Sequence, residues 1–174
     1  MTRNKRAFII LLVIIIAMMA VMFQASNTPY KKQDIKPFLR EHISLSKDSL
    51  PQFSFRYDGE LVTTGQPYDF IEFCIRKLGH ISEYAALTFL LVCVFLITRI
   101  SRKIAYMTGF LLSLLYALSD EWHQSFIPGR TGHLIDVFTF DLFGILLGLI
   151  AAFIVNRLIR KAKRVNKGDF DIRS

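Results

Sequence analysis

Within residues 119–141 the chain places four carboxylates, Asp120, Glu121, Asp136 and Asp141, two histidines, His123 and His133, and one arginine, Arg130, with apolar segments on either side. A second polar trio, Lys77, His80 and Glu83, recurs at every third residue and so falls close to one stripe of a helix. Imidazole nitrogens together with hard carboxylate oxygens would suit a divalent metal. A carboxylate and a histidine in a low-dielectric setting also make a general base and acid. Here Glu83 or Asp120 would serve as base, and His123 as acid or metal ligand. Arg130 can grip a phosphate or carboxylate in bidentate geometry. Lys77, His80, Glu121, Gln124, Asp136 and Asp141 would then complete a ligand-binding surface around it. The plainer alternative is a buried network of ion pairs and hydrogen bonds, because charges at membrane depth must pair whether or not they react. The chain has no Gly-x-Ser-x-Gly elbow, no His-Glu-x-x-His zinc helix and no Walker loop, so network, headgroup binding and catalysis all stay open.

The elements that must position these groups are apolar. At 52% hydrophobic residues the chain is too apolar for an ordinary soluble domain of 174 residues. Four apolar runs, 7–23, 81–98, 104–118 and 134–155, approach or exceed the ~20 residues that cross ~30 Å of hydrocarbon as a helix, the third being clean for only about four turns. Lipid offers no partners to an open sheet, so a helical bundle follows. The first run comes after Arg3, Lys5 and Arg6, as a signal peptide would. It is longer than a usual signal h-region, and Phe23-Gln24-Ala25 lacks the first small residue of a cleavage site, which favours an uncleaved anchor.

The net charge of +8 does not point to nucleic acid. Thirteen of the 22 cations fall in three short segments: Arg3, Lys5 and Arg6; Arg99, Arg102 and Lys103; and Arg157, Arg160, Lys161, Lys163, Arg164, Lys167 and Arg173. A four-span arrangement puts all three on one side, where Asp169 and Asp171 are the only acids. The positive-inside rule then makes both termini cytoplasmic, with a basic tail that can touch anionic lipid. In that arrangement the start of the second span, the end of the third and the start of the fourth all face outward. Lys77, His80, Glu83, Asp120, Glu121, His123, Gln124, Arg130, His133, Asp136 and Asp141 therefore gather in one outer-leaflet region.

The expected fold is an all-α integral membrane four-helix bundle with a small extracytoplasmic segment between the first two spans. The divisions are an anchor over 1–24, the extracytoplasmic segment over 25–69, a core over 70–157 with spans near 78–99, 103–124 and 134–157, and a basic tail over 158–174. In the outer segment, 35–43 has a helical pattern and 47–51 is turn-like. The alternation of Phe53-Ser54-Phe55-Arg56-Tyr57, followed by Asp58-Gly59, predicts a short hairpin resting on the membrane or on the bundle. Glu72 and Arg76 stand at i, i+4 and would pair on an interfacial helix. Cys74 and Cys93 on one continuous helix lie ~28 Å apart, far outside disulfide reach. Gly144-x-x-x-Gly148 is a close-approach pattern whose simplest role is to seat a neighbouring helix.

Three blocks, Arg76-Lys77-x-x-His80-x-x-Glu83-Tyr84, Ser119-Asp120-Glu121-x-His123-Gln124-x-x-Ile127-Pro128-Gly129-Arg130-x-Gly132, and Asp136-x-x-x-x-Asp141-x-x-Gly144, resemble the VanZ family of bacterial membrane proteins. Pro29-Tyr30-x-x-Gln33-Asp34 is similar to the stretch that follows the first span in that family, while Gln24-Ala25-Ser26 departs from the Ser-Ser-Gln common in Gram-positive relatives. The family takes its name from a protein associated with low-level teicoplanin resistance. The resemblance implies a membrane protein acting at the outer leaflet, with membrane lipids as partners together with a lipoglycopeptide or a cell-wall precursor lipid. The competing expectation is an intramembrane hydrolase or transferase acting on a lipid-linked phosphate or ester. A proton-linked transporter is the weakest reading, because the inner halves of the spans are nearly free of acids.

Overall fold

The computed structural model describes residues 5–171, with side chains described as far as Arg164. Arg3 and Arg173 lie outside the described residues, as do the side chains of Lys167, Asp169 and Asp171. The chain is mostly helical. A 22-residue apolar run without proline or glycine forms α1, Lys5–Ser26. Two short helices follow, α2 over Tyr30–Gln33 and α3 over Lys36–His42, the latter with proline in its first turn, where no backbone donor is lost. The long helix α4, Pro67–Leu96, also opens on proline and stops three residues short of the expected span end at 99. Ser101 caps α5, Arg102–Gln124, its hydroxyl accepting from the Ile104 amide at 3.3 Å. A single turn, α6 over Leu134–Asp136, runs through a π-helical turn at Val137–Asp141 into α7, Leu142–Asp171.

Three of these helices, Lys5–Ser26, Pro67–Leu96 and Leu134–Arg164, are long and apolar enough to cross a membrane. The 23 residues of α5 have the length but not the same apolar content, because Ser113, Ser119, Asp120 and Glu121 interrupt it. Outward faces are apolar: Ile9, Val13 and Ile16 on α1, Leu111 and Leu115 on α5, and Phe153 and Ile154 on α7 are all exposed. In water such a surface would aggregate, whereas in lipid it is the solvated one.

The centre of the assembly is α4, which touches α1, α5 and α7. Tyr84, Leu87, Leu91 and Val94 of α4 form the core with Ile15 and Met22 of α1, Ala117 of α5, and Val137 and Ile145. Residue pairs fix the directions. Tyr84 meets Asp120 and Thr88 meets Ser113, so α4 and α5 are antiparallel. Gly144 packs on Ile81 and Gly148 on Ala85, so α4 and α7 run parallel. At both glycines an added Cβ would strike a backbone carbonyl oxygen of α4. The pair thus performs the seating role expected of it, and close backbone approach substitutes for a hydrophobic driving force that lipid does not supply.

The hairpin forms as its alternation predicts. Strand β1, Ser54–Tyr57, pairs with β2, Glu60–Thr63, in the register Ser54 to Thr63 and Tyr57 to Glu60. Asp58 and Gly59 both take positive φ, 48° and 84°, as a two-residue I′ turn requires. Cys74 and Cys93 are free thiols on α4. The expected Glu72–Arg76 pair is not among the described ion pairs. Glu72 instead accepts the Tyr30 hydroxyl at 2.8 Å and lies 3.7 Å from Lys36, while Arg76 stacks over the Tyr30 ring at 5.4 Å.

Candidate functional site

The stripe on α4 meets the segment Asp136–Asp141 in the same order along the chain because the two run parallel, three residues on α4 matching five on its partner. Lys77 pairs with Asp136, both buried, and His80 Nδ1 lies 2.9 Å from Asp141 Oδ1. In an uninterrupted α-helix residues five apart would point about 140° from one another. The π turn removes that offset. The Leu142 amide reaches back to the Val137 carbonyl, closing a five-residue loop and letting Asp136 and Asp141 both face α4.

The hairpin closes over the first of these pairs. The Tyr57 hydroxyl donates to Asp136 Oδ1 at 2.6 Å, and the Lys77 ammonium sits over the rings of Tyr57, Phe73 and Phe140 at 4.7, 5.2 and 5.4 Å. An aromatic cage of this kind stabilises a desolvated cation through the ring quadrupoles. Burial and the bond to Asp136 push the Tyr57 phenol well above its usual range, so it remains a donor. The hairpin tip is pinned as well, with Asp58 contacting the His133 ring.

The end of α5 supplies the opposite wall. Asp120 Oδ2 accepts from Gln124 Nε2 at 2.9 Å and lies 3.4 Å from the Tyr84 hydroxyl. Gln124 turns its carbonyl to Arg130, which donates from Nη1 at 3.1 Å. Arg130 Nη2 donates to the Ala25 carbonyl at 3.1 Å and to Gln33 Oε1, tying the loop to the end of α1 and to α2. Burial, then the neighbouring Arg76 charge, hold the Arg130 guanidinium below its ordinary pKa. Glu121 Oε2 accepts the His133 amide at 2.8 Å. Gly132 packs so tightly on the Glu121 backbone carbonyl that a Cβ has no room there.

Two small cavities lie between these walls. One, about 190 Å³, is bounded by Tyr57, Lys77, His133 and Asp136; the other, about 170 Å³, by Ala25, Gln33, Glu83 and Asp120. Arg76, His80, Gln124 and Arg130 line both. Among the described residues neither Arg76 nor Arg130 has a carboxylate ion-pair partner: Arg130 bonds only amides and a backbone carbonyl, and Arg76 stacks on a phenol ring. The pair of cavities therefore offers two guanidiniums to an anion. His80, Glu121 and Asp141 each present a ligand atom, all three within 4.8 Å of one another.

Of the residues expected at the site, Lys77, His80, Glu83, Asp120, Glu121, Gln124, Arg130, Asp136 and Asp141 are brought together. His123 is not: its ring stacks on Phe23 at 4.8 Å, its Nε2 is buried without a hydrogen-bond partner among the described residues, and it lines neither cavity. Tyr30, Gln33, Tyr57, Arg76 and Tyr84 complete the site although they were not expected there as site residues. For Tyr30, Gln33, Arg76 and Tyr84 the signal lies in the two stretches, Pro29–Asp34 and Arg76–Tyr84, that carry the family resemblance.

No curated protein and no solved structure matches the chain. The sequence profile described as VanZ/LLP1 matches residues 9–156, from the first turns of α1 through every element that carries the site and into α7. With most of its length matched, including both walls of the cavities, the chain is a membrane protein that belongs to the VanZ/LLP1 family.

Proposed function

We propose that the protein spans the bacterial cell membrane with α1, α4, α5 and α7, both termini cytoplasmic, and binds the anionic headgroup of an envelope lipid at the outer leaflet. The stretch 25–69 is then extracytoplasmic, 70–157 the core and 158–174 a cytoplasmic tail. Helix directions support this reading. Tyr116 of α5 bonds Met19 of α1 and His123 meets Phe23, so α1 and α5 run one way while α4 and α7 run the other. The cations Arg102, Arg157, Arg160 and Lys161 lie at the end away from the site, as the positive-inside rule asks of the cytoplasmic face. The polar end of α5 is covered by α1, α4 and the loop that follows it, which offsets its modest apolar content.

The observation that carries the proposal is that Arg76 and Arg130 face shared cavities without carboxylate partners. A phosphate would satisfy both guanidiniums through charge-assisted bonds. The test is native mass spectrometry of the purified protein offered phosphatidylglycerol or a diacylglycerol with the same chains. The phosphate-bearing lipid should be retained preferentially, and the double variant Arg76→Gln with Arg130→Gln should lose at least about tenfold, one charged hydrogen bond being worth roughly 1.5–3 kcal/mol. Equal retention of both lipids by the unaltered protein would refute the proposal.

A role in presenting a lipoglycopeptide is proposed from the family alone. Expression in a teicoplanin-susceptible bacterium should lower susceptibility for the unaltered protein and not for Arg130→Gln. No shift with well-inserted protein would remove that role. A hydrolase or transferase is favoured by a different observation, the placement of Glu83 and Asp120 on the same cavity wall as Arg130. An envelope lipid pool unchanged by expression, for the unaltered protein and for Glu83→Gln alike, would exclude it.

A further inference from the structure

Glu121 and Asp141 are 2% and 0% exposed, and each commits only one carboxylate oxygen. Glu121 Oε2 takes the His133 amide, and Asp141 Oδ1 faces His80 Nδ1 at 2.9 Å. The other oxygens, Glu121 Oε1 and Asp141 Oδ2, are buried with no hydrogen-bond partner among the described residues. A carboxylate oxygen out of water and unpaired is strongly unfavourable, and something positive must meet it. No described cation reaches these oxygens: Lys77 pairs with Asp136, and neither Arg76 nor Arg130 forms an ion pair with Glu121 or Asp141 among the described residues.

We infer that His80, Glu121 and Asp141 form a binding site for a divalent transition-metal cation, with Zn²⁺ or Mn²⁺ the best fit. The three ligand atoms already lie within 4.8 Å of one another, close to the ~3–4 Å separation of donors that share one ion at ~2.1 Å, so small side-chain rotations close the set. Two carboxylates and a neutral imidazole carry a charge of −2, which a divalent ion cancels. One nitrogen with two oxygens suits Zn²⁺ or Mn²⁺ better than the all-oxygen shells of Ca²⁺ and Mg²⁺ or the soft shell of Cu⁺. The three ligands come from α4, α5 and the π turn, so one ion would join three elements, and the two orphaned oxygens would become its ligands. His80 also lines both cavities, which places the ion on their common wall. The inference stands on these oxygens and does not depend on headgroup binding.

The test uses the full-length protein in detergent, stripped with EDTA, dialysed against Zn²⁺ or Mn²⁺ alone, and analysed for metal by plasma mass spectrometry. About one ion per chain is expected, with a melting temperature that rises as metal is added. Glu121→Gln and Asp141→Asn should each weaken binding at least about a hundredfold, beyond what losing an outer-shell partner does. Without metal, Glu121→Gln should melt no lower than the unaltered protein, because its carboxamide oxygen still accepts the His133 amide and the unpaired charge is gone. Glu60→Gln, on the rim of the larger cavity, should keep the ion. A metal-free unaltered protein after dialysis, its orphaned oxygens then carrying protons, would overturn the inference, and so would full metal content in both carboxylate variants.

Discussion

Charge is handled in opposite ways at the two ends of the helices. At one end Arg102, Lys103, Arg157, Arg160, Lys161 and Arg164 border a wide groove of about 1080 Å³ between α5 and α7, all six exposed and without an acid among the residues that line it. At the other, Lys77, Asp136, Glu121 and Asp141 are buried and closely engaged. Exposed cations near headgroups act as a field, in which each adds a similar increment and none needs a fixed geometry. Buried charges act as fitted parts, each stabilised only by its own neighbour. The sequence presents the two ends as similar runs of ionisable residues; packing makes them different.

Substitutions can break this comparison, and the largest effect belongs to the buried pair. We predict that Lys77→Met destabilises the protein by about 3–5 kcal/mol, by leaving Asp136 without its cation in a dry site, and that adding Asp136→Leu restores much of the loss. Thermal denaturation in detergent checks both. A double variant no better than the single would mean that Asp136 is held chiefly by Tyr57. Next comes Gly148→Leu, in the parallel contact that links the two ends. Its side chain would meet the Ala85 carbonyl and Thr88 Cβ, for a loss of about 1–3 kcal/mol in the same assay. Tyr57→Phe removes one bond to a carboxylate and should cost about 1.5–2 kcal/mol, with the ring contacts to Phe73 and Phe140 retained. The smallest effect belongs to the basic end: Arg157→Gln, Arg160→Gln and Lys161→Gln should each shift stability by less than about 0.5 kcal/mol. A basic-end substitution as damaging as Lys77→Met would erase the distinction.

Some of this was legible beforehand. The hairpin register follows from the alternation at 53–57 and the turn demanded by Asp58-Gly59. The gathering of Lys77 and His80 with the acids beyond residue 119 follows from the alternation of helix directions. The partners within the gathering did not follow, because helical periodicity assumes 3.6 residues per turn and the π turn at Val137–Asp141 departs from it. His123 illustrates the same limit from the other side. Helix geometry puts it on the face of Asp120 and Gln124, yet Phe23 of a helix one hundred residues earlier covers its ring. Gln33 and Tyr57 enter the site across separations of 97 and 79 residues, which helical periodicity does not encode.

The π turn also makes the site sensitive to chain length in a way that substitutions are not. It already holds one residue more than an α-helical turn, so a further residue inserted after Thr139 cannot be absorbed there and should, with α7 left in place, rotate everything before it by about 100°. Asp141 would keep its phase against His80 while Asp136 swings away from Lys77. Cysteine cross-linking between positions 80 and 141 should then persist, while that between 77 and 136 is lost. A gain of one codon would thus uncouple two halves of the site that no single point substitution separates.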